Sequence, residues 1–175
     1  MSVSRYDIAI AGGGLSGGLV ALALARARPD LALALVEAGE APGGNHRWSW
    51  FGSDLPPGGE ALLSDVRKTG WDAGYDVRFP GHDRTLGTPY RSIASPDFAA
   101  ALARALPEGA IRTRAEIAAL DAQGLSLATG ERISARTVID CRGLEPSPHL
   151  AGGWQVFMGR HLRTGAPHGI ERPVI

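Results

Sequence analysis

Residues Asp7-Ile8-Ala9-Ile10-Ala11-Gly12-Gly13-Gly14-Leu15-Ser16-Gly17-Gly18 decide the fold. A short apolar run stops at Gly12, and Gly14 and Gly17 follow at G-x-G-x-x-G spacing. Gly12 permits a tight turn out of a strand, Gly14 lets backbone approach a pyrophosphate, and Gly17 lets the next helix sit close to the sheet. Glu37 closes the following apolar run, 20 residues after Gly17. A carboxylate there accepts hydrogen bonds from ribose hydroxyls and disfavours a 2′-phosphate. The helix N-terminus, with unpaired N–H groups and the positive end of the dipole, favours an anion. The unit therefore reads as a seat for the ADP half of a dinucleotide, with Gly13 and Ser16 in the same loop completing the set. The alternative is a ligand-free glycine-rich turn with Glu37 a solvated carboxylate. The strand before, the helix after and the acid at the second strand's end favour the ligand.

Outward from this unit, the spacing predicts a strand at Tyr6–Ala11, a helix at Leu15–Ala27 and a strand at Ala32–Glu37. The helix is apolar on most faces and is expected to be sandwiched. Pro29-Asp30 stops it, leaving Arg28 at its exposed end. From Gly39 through Pro56-Pro57-Gly58-Gly59 the chain reads as a long loop carrying Asn45-His46-Arg47-Trp48-Ser49-Trp50-Phe51. Short strands at Tyr75–Phe79, Arg84–Leu86 and Tyr90–Ala94 form an inserted antiparallel element, and Ser95 caps a helix entered at Pro96 and ending near Leu106. Ile111–Thr113, Ile117–Asp121, Leu125–Leu127 and Arg132–Ser134 read as a meander. Thr137–Asp140 reads as a fully buried strand ending at Cys141-Arg142-Gly143, and Trp154–Met158 and Pro173-Val174-Ile175 as later strands.

Composition narrows the partners. The chain has 175 residues, 44% of them hydrophobic, enough for one sizeable core, and 18 basic side chains balance 18 acidic ones. That balance argues against a nucleic-acid partner. Cys141 is the single cysteine, so no internal disulfide forms, and no Cys/His cluster has zinc-type spacing, so no metal is expected. A cytoplasmic setting is the default expectation. No apolar run approaches the ~18 residues that span a bilayer.

Three blocks resemble the N-terminal region of bacterial lycopene β-cyclases: Asp7 through Leu19 with its glycine fingerprint, Glu37-Ala38-Gly39, and Gly43-Gly44-Asn45-His46-Arg47-Trp48-Ser49-Trp50. The third is the narrow one. Tyr75-Asp76-Val77-Arg78-Phe79-Pro80, Ser92-Ile93-Ala94-Ser95 before Phe98-Ala99, Val138 through Gly143 and Pro167-His168-Gly169-Ile170 follow in the same order.

The resemblance implies an FAD enzyme of carotenoid biosynthesis. It would cyclise the acyclic ψ-ends of lycopene to β-rings, giving β-carotene via γ-carotene, without net redox change. The family uses reduced FAD, maintained by NADPH or NADH. The implied architecture is α/β: a Rossmann-like FAD/NAD(P)-binding domain with inserted antiparallel strands over residues 1–150, then an incomplete substrate (polyene) domain beginning at 151–175. The family's proton donor is sought in a Phe-Leu-Glu-Glu-Thr motif that this sequence does not contain, so a truncated product is expected and no catalytic residue is assigned. An insoluble C40 substrate implies peripheral association with the inner membrane from the cytoplasmic side. A flavin monooxygenase or polyene reductase on the same scaffold, and an inactive nucleotide-binding fragment, are the competing readings.

Several residues stay open. Gly43 and Gly44 would bring loop backbone near the cofactor. Asn45, His46 and Arg47 suit ribose or diphosphate oxygens, a channel mouth, or an ordinary surface loop. Trp48, Trp50 and Phe51 suit either an apolar wall for a polyene or flavin ring, or core packing. Asp140 is expected to fix a strand end by hydrogen bonds, and Cys141 is not expected to be activated as a nucleophile.

Overall fold

The computed structural model describes residues 5–143, 148–149, 151–153, 158–160 and 162–175. Its centre is a six-stranded sheet. Strand β1 (Arg5–Ala11) pairs in parallel with β2 (Leu33–Val36) on one side and with β11 (Arg132–Asp140) on the other, and β8 (Ile111–Arg112) extends the β2 edge in parallel. Strands β9 (Ile117–Asp121) and β10 (Gly124–Leu127) continue it antiparallel from β11, giving the order β8-β2-β1-β11-β10-β9.

Strand periodicity builds two cores from this sheet. Ile10, Leu33 and Leu35 face one side, where they pack with Ala21 and Leu22 of α1 (Leu15–Ala27) and Phe98 and Leu102 of α3 (Ser95–Ala105). Ala9, Ala11, Ala34 and Val36 face the other, where Leu125, Leu127 and Ile133 cover them. Alternate residues thus serve opposite layers, as the pleat requires. The carboxyl half of β1 and the whole of β2 are covered on both faces, and that accounts for their unbroken apolar runs.

A second sheet comes between the first βαβ unit and α3 in chain order. It joins β3 (Arg47–Phe51) and β4 (Thr69–Trp71) antiparallel to a central β7 (Tyr90–Ala94), which leads directly into α3. A 3-10 turn at Gly52–Asp54 and a one-turn helix α2 (Gly59–Leu62) connect β3 to β4. The hairpin of β5 (Tyr75–Phe79) and β6 (His82–Leu86) projects separately, and residues 173–175 run alongside β5, bonding through Asp76 and Arg78. The architecture is Rossmann-like α/β with inserted antiparallel strands.

Five expectations change. Helix α1 is not sandwiched: Gly17, Gly18, Ala21 and Leu22 are buried, whereas Ser16 and Ala23 are exposed, because α3 and the sheet cover only one side. Residues 47–51 form a strand and not a loop. Arg132–Ser134 and Thr137–Asp140 are one continuous strand. Its carboxyl half is not fully buried, because β10 pairs only with residues 132–134 and leaves the edge from 137 open beyond β1. Ser95 makes no side-chain cap to its own helix. The strand expected at Trp154–Met158 lies outside the described residues up to 157.

Candidate functional site

The carboxyl ends of β1, β2 and β11 converge where the strand order reverses around β1, the place where open α/β sheets bind ligands. A cleft of about 350 Å³ opens there, lined by Gly12, Gly14, Glu37, Glu116, Cys141 and Arg142 among others. Each glycine of the fingerprint has a distinct reason to be there. Gly12 adopts φ +95°, and a Cβ on it would lie 2.8 Å from the carbonyl oxygen of Cys141. A Cβ on Gly17 would lie 2.0 Å from the Gly12 carbonyl, so α1 can approach the sheet only without it. The side-chain position of Gly14 meets no protein atom within 4 Å. Gly14 also precedes the first turn of α1, and no side chain caps it. The N–H groups at Leu15, Ser16 and Gly17 lie in the turn that has no intrahelical acceptors.

Glu37 follows β2 and is half-buried. Its Oε2 accepts the Gly13 N–H at 2.8 Å, and its Oε1 accepts the Gly39 N–H at 2.7 Å. Each carboxylate oxygen keeps a further acceptor site, so the group holds the loop and can still take a hydroxyl. Sequence reasoning missed this first role.

Gly43, Gly44, Asn45 and His46 form a turn beside the glycine loop and do not line the cleft itself. The join is direct: the Gly43 N–H donates to the Gly13 carbonyl at 2.8 Å. Gly43 (φ +82°) and Gly44 (φ +54°) both occupy the left-handed region that glycine tolerates. The side chains of Asn45 and His46 are exposed, and the imidazole stacks on Trp48 with ring centres 5.8 Å apart. Arg47 reaches the buried hydroxyl of Ser92, its Nη1 donating at 3.2 Å. Trp48 packs edge-on against Phe98, and Trp48 and Trp50 both join the helical core. Phe51 belongs to a separate cluster with Tyr75 and Tyr90. Core packing therefore accounts for the two tryptophans.

At the far wall, Arg142 forks onto Asp140, its Nε and Nη2 donating at 2.9 and 3.0 Å, and the Arg142 backbone N–H donates to the same carboxylate. The guanidinium holds the Asp140 carboxyl below the usual range, and the residue fixes a strand end. Burial, with Asp140 adding to it, pushes the Cys141 thiol up, which keeps it protonated and unreactive. Among the described residues no Asp or Glu is buried, so none has the dry surroundings that keep a carboxylic acid neutral. Among the same residues no cluster of three or more His, Cys, Asp or Glu could hold a metal, and no helix is long and apolar enough to cross a membrane.

Comparison with known proteins bears on this site. The family model described as lycopene cyclase protein matches residues 7–175. A lycopene beta-cyclase of Paracoccus sp. (strain N81106 / MBIC 01143) is 44% identical over 170 residues, covering 97% of this chain and 43% of that protein. One from Pseudescherichia vulneris is 41% identical over 169 residues, covering 97% and 43%. The chain thus spans less than half the length of these relatives. Among solved structures, a 2-methyl-3-hydroxypyridine-5-carboxylic acid oxygenase (mutant Y270A) aligns with a TM-score of 0.56 and 26% identity over 78% of this chain and 39% of its own.

Proposed function

This chain belongs to the lycopene cyclase family, and from that premise we propose that it carries the dinucleotide-binding region of a lycopene β-cyclase that uses FAD. The observation that carries the reading is the bond from the Gly43 N–H to the Gly13 carbonyl. It joins the segment most narrowly similar to the cyclases to the loop that seats a dinucleotide.

The residues present fit the cofactor. Gly14 leaves an empty side-chain position at an uncapped helix start, and the cleft is continuous from there to Glu37. The N–H groups of Leu15, Ser16 and Gly17 would bind the diphosphate, with the dipole of α1 behind them. Glu37 would orient a ribose through the acceptor sites left over from Gly13 and Gly39, and its charge would repel a 2′-phosphate. Asp140 neutralises much of the Arg142 charge beside the cleft. Bound in its reduced form, which NADPH or NADH would maintain, the flavin would supply a fixed negative charge suited to stabilising positive charge on the polyene. The reaction is an isomerisation: a proton added at the terminal double bond of a ψ-end stays on that carbon, the ring bond closes on the cation so formed, and a different proton leaves the ring carbon that made the new bond to set the β-ring double bond. No residue of this chain is assigned the proton transfer.

A substrate as apolar as lycopene is drawn from a bilayer, so the reading includes peripheral contact with the cytoplasmic face of the inner membrane, with residues 151–175 opening the substrate region. The oxygenase-like fold neighbour supports one competing activity, a flavin monooxygenase. Anaerobic incubation with FAD, NADPH and lycopene in vesicles separates them. Conversion to β-carotene through γ-carotene without stoichiometric NADPH oxidation is expected. Unchanged lycopene beside bound flavin overturns the cyclase activity of this chain, and oxygen-dependent NADPH consumption favours the monooxygenase. Co-sedimentation with the same vesicles checks the membrane contact.

A further inference from the structure

A serine at the start of a helix ordinarily caps it, yet the hydroxyl of Ser95 is spent elsewhere. It donates to the Gly44 carbonyl at 2.7 Å and accepts the His46 N–H at 3.3 Å, while the Ser95 N–H donates to the His46 carbonyl at 3.0 Å. Three bonds therefore tie one residue to the Gly44–His46 turn. Ser95 is 3% exposed, and a Cβ built on Gly43 would come within 3.1 Å of its Cβ, so the turn is pressed against it. The same turn holds the glycine loop, through the Gly43 N–H on the Gly13 carbonyl. Behind Ser95, α3 is anchored by Phe98, which packs so closely on α1 that a Cβ at Gly18 would sit 2.4 Å from its ring. The path from Ser95 to the cleft is two hydrogen-bonded steps long and starts on a rigid support.

We infer that Ser95 is a positioning residue for the dinucleotide cleft: it latches the Gly43–His46 turn so that this turn fixes the Gly13 carbonyl beside the pyrophosphate seat. The inference rests on the FAD reading of the cleft. Without the hydroxyl, the Gly44 carbonyl and the His46 N–H lose their partner in a half-buried place, and the turn no longer holds the loop in one geometry. The arrangement is one of support, since Ser95 does not line the cleft.

The test uses the 175-residue chain titrated with FAD, together with amide exchange at Gly43, at a temperature where every variant is folded. S95A is expected to raise the FAD dissociation constant about tenfold and to speed Gly43 exchange by about as much. S95C, whose thiol is a weak donor, falls between wild type and S95A in both, and takes the place of S95A if that variant does not fold. L106A, which removes buried volume just past the end of α3 and away from the turn, lowers the melting temperature while leaving both readouts as in wild type. Equal shifts in S95A and L106A, or an S95A chain that binds FAD as wild type does, overturn the positioning role. A wild-type chain that takes up no FAD overturns the reading of the cleft. A Gly43 amide exchanging alike in wild type and S95A overturns the latch, so the two failures are told apart.

Discussion

The Glu37 carboxylate and the Gly13 N–H, 24 residues apart, are 2.8 Å from one another, so the acid at the end of the second strand is a brace for the loop at the end of the first. The residue expected to read the ribose also sets the shape of the seat. Both jobs need an acceptor on each oxygen, which is a reason for a carboxylate in place of a hydroxyl or an amide.

E37A should therefore lose more than a ribose contact. Leaving the Gly13 and Gly39 N–H groups without their partner costs about 1–3 kcal/mol, and FAD affinity should fall by about ten- to a hundredfold in a fluorescence titration. E37Q keeps one good acceptor and should fall between. An E37A chain with wild-type affinity would remove Glu37 from the site.

Gly14 and Gly17 should separate binding from folding. The Cβ of G17A would lie 2.0 Å from the Gly12 carbonyl, so the backbone must move and stability should drop by about 1–3 kcal/mol or more. G14A meets no protein atom, and Gly14 has φ −67°, ψ −168°, which alanine adopts without strain. Its melting temperature should stay near wild type while FAD binding is lost. Thermal denaturation beside the titration checks both, and a G14A chain that binds normally would show that the ligand does not approach there.

Acid should expose the Asp140–Arg142 pair. The folded carboxyl titrates below its unfolded value of about 3.9, so its stabilisation is present above that pH and disappears as pH falls through the folded value. Both side chains are partly exposed, at 45% for Asp140 and 30% for Arg142, which keeps the contribution within about 1 kcal/mol. Urea midpoints of wild type should exceed those of D140N at neutral pH and converge with them as pH falls through the folded value. Parallel profiles would contradict the assignment.

Gly18 and Phe98 should be coupled. G18A pushes a methyl to 2.4 Å from the Phe98 ring, and the single variant should lose about 1–3 kcal/mol. In an F98L background the same change should cost less, and a double-mutant cycle by urea denaturation should return a coupling of about 0.5–3 kcal/mol. Strict additivity would mean that the two helices adjust without meeting.

Much of this was legible from local pattern. The ends of α1, β5, β7 and β9 agree with the sequence reading, because apolar spacing and turn residues bound those segments without help from the rest. β3 was open to the same reasoning: Arg47-Trp48-Ser49-Trp50-Phe51 alternates polar and aromatic, a strand pattern hidden by the glycines and prolines around it. β4 has three residues including Gly70 and carries no local signal; its pairing with β7 makes it a strand. The bonds of Glu37 to Gly13 and of Ser95 to Gly44 join points far apart in the chain, and no spacing rule encodes them. For Ser95 the residue type was correct and the partner was not: burial brought a loop carbonyl closer than its own helix could offer.

β11 is the last strand of the central sheet to be made, yet it pairs directly with the first. During synthesis at about 5–20 residues per second, the roughly hundred residues between Glu37 and β11 take some 5–20 s to emerge. For that interval Ile8–Ala11 has only one neighbour, and the wall that Cys141 sets against Gly12 does not exist. A nascent chain therefore has no finished nucleotide seat until β11 is out, and an apolar edge stays open to chaperones or to aggregation in the meantime.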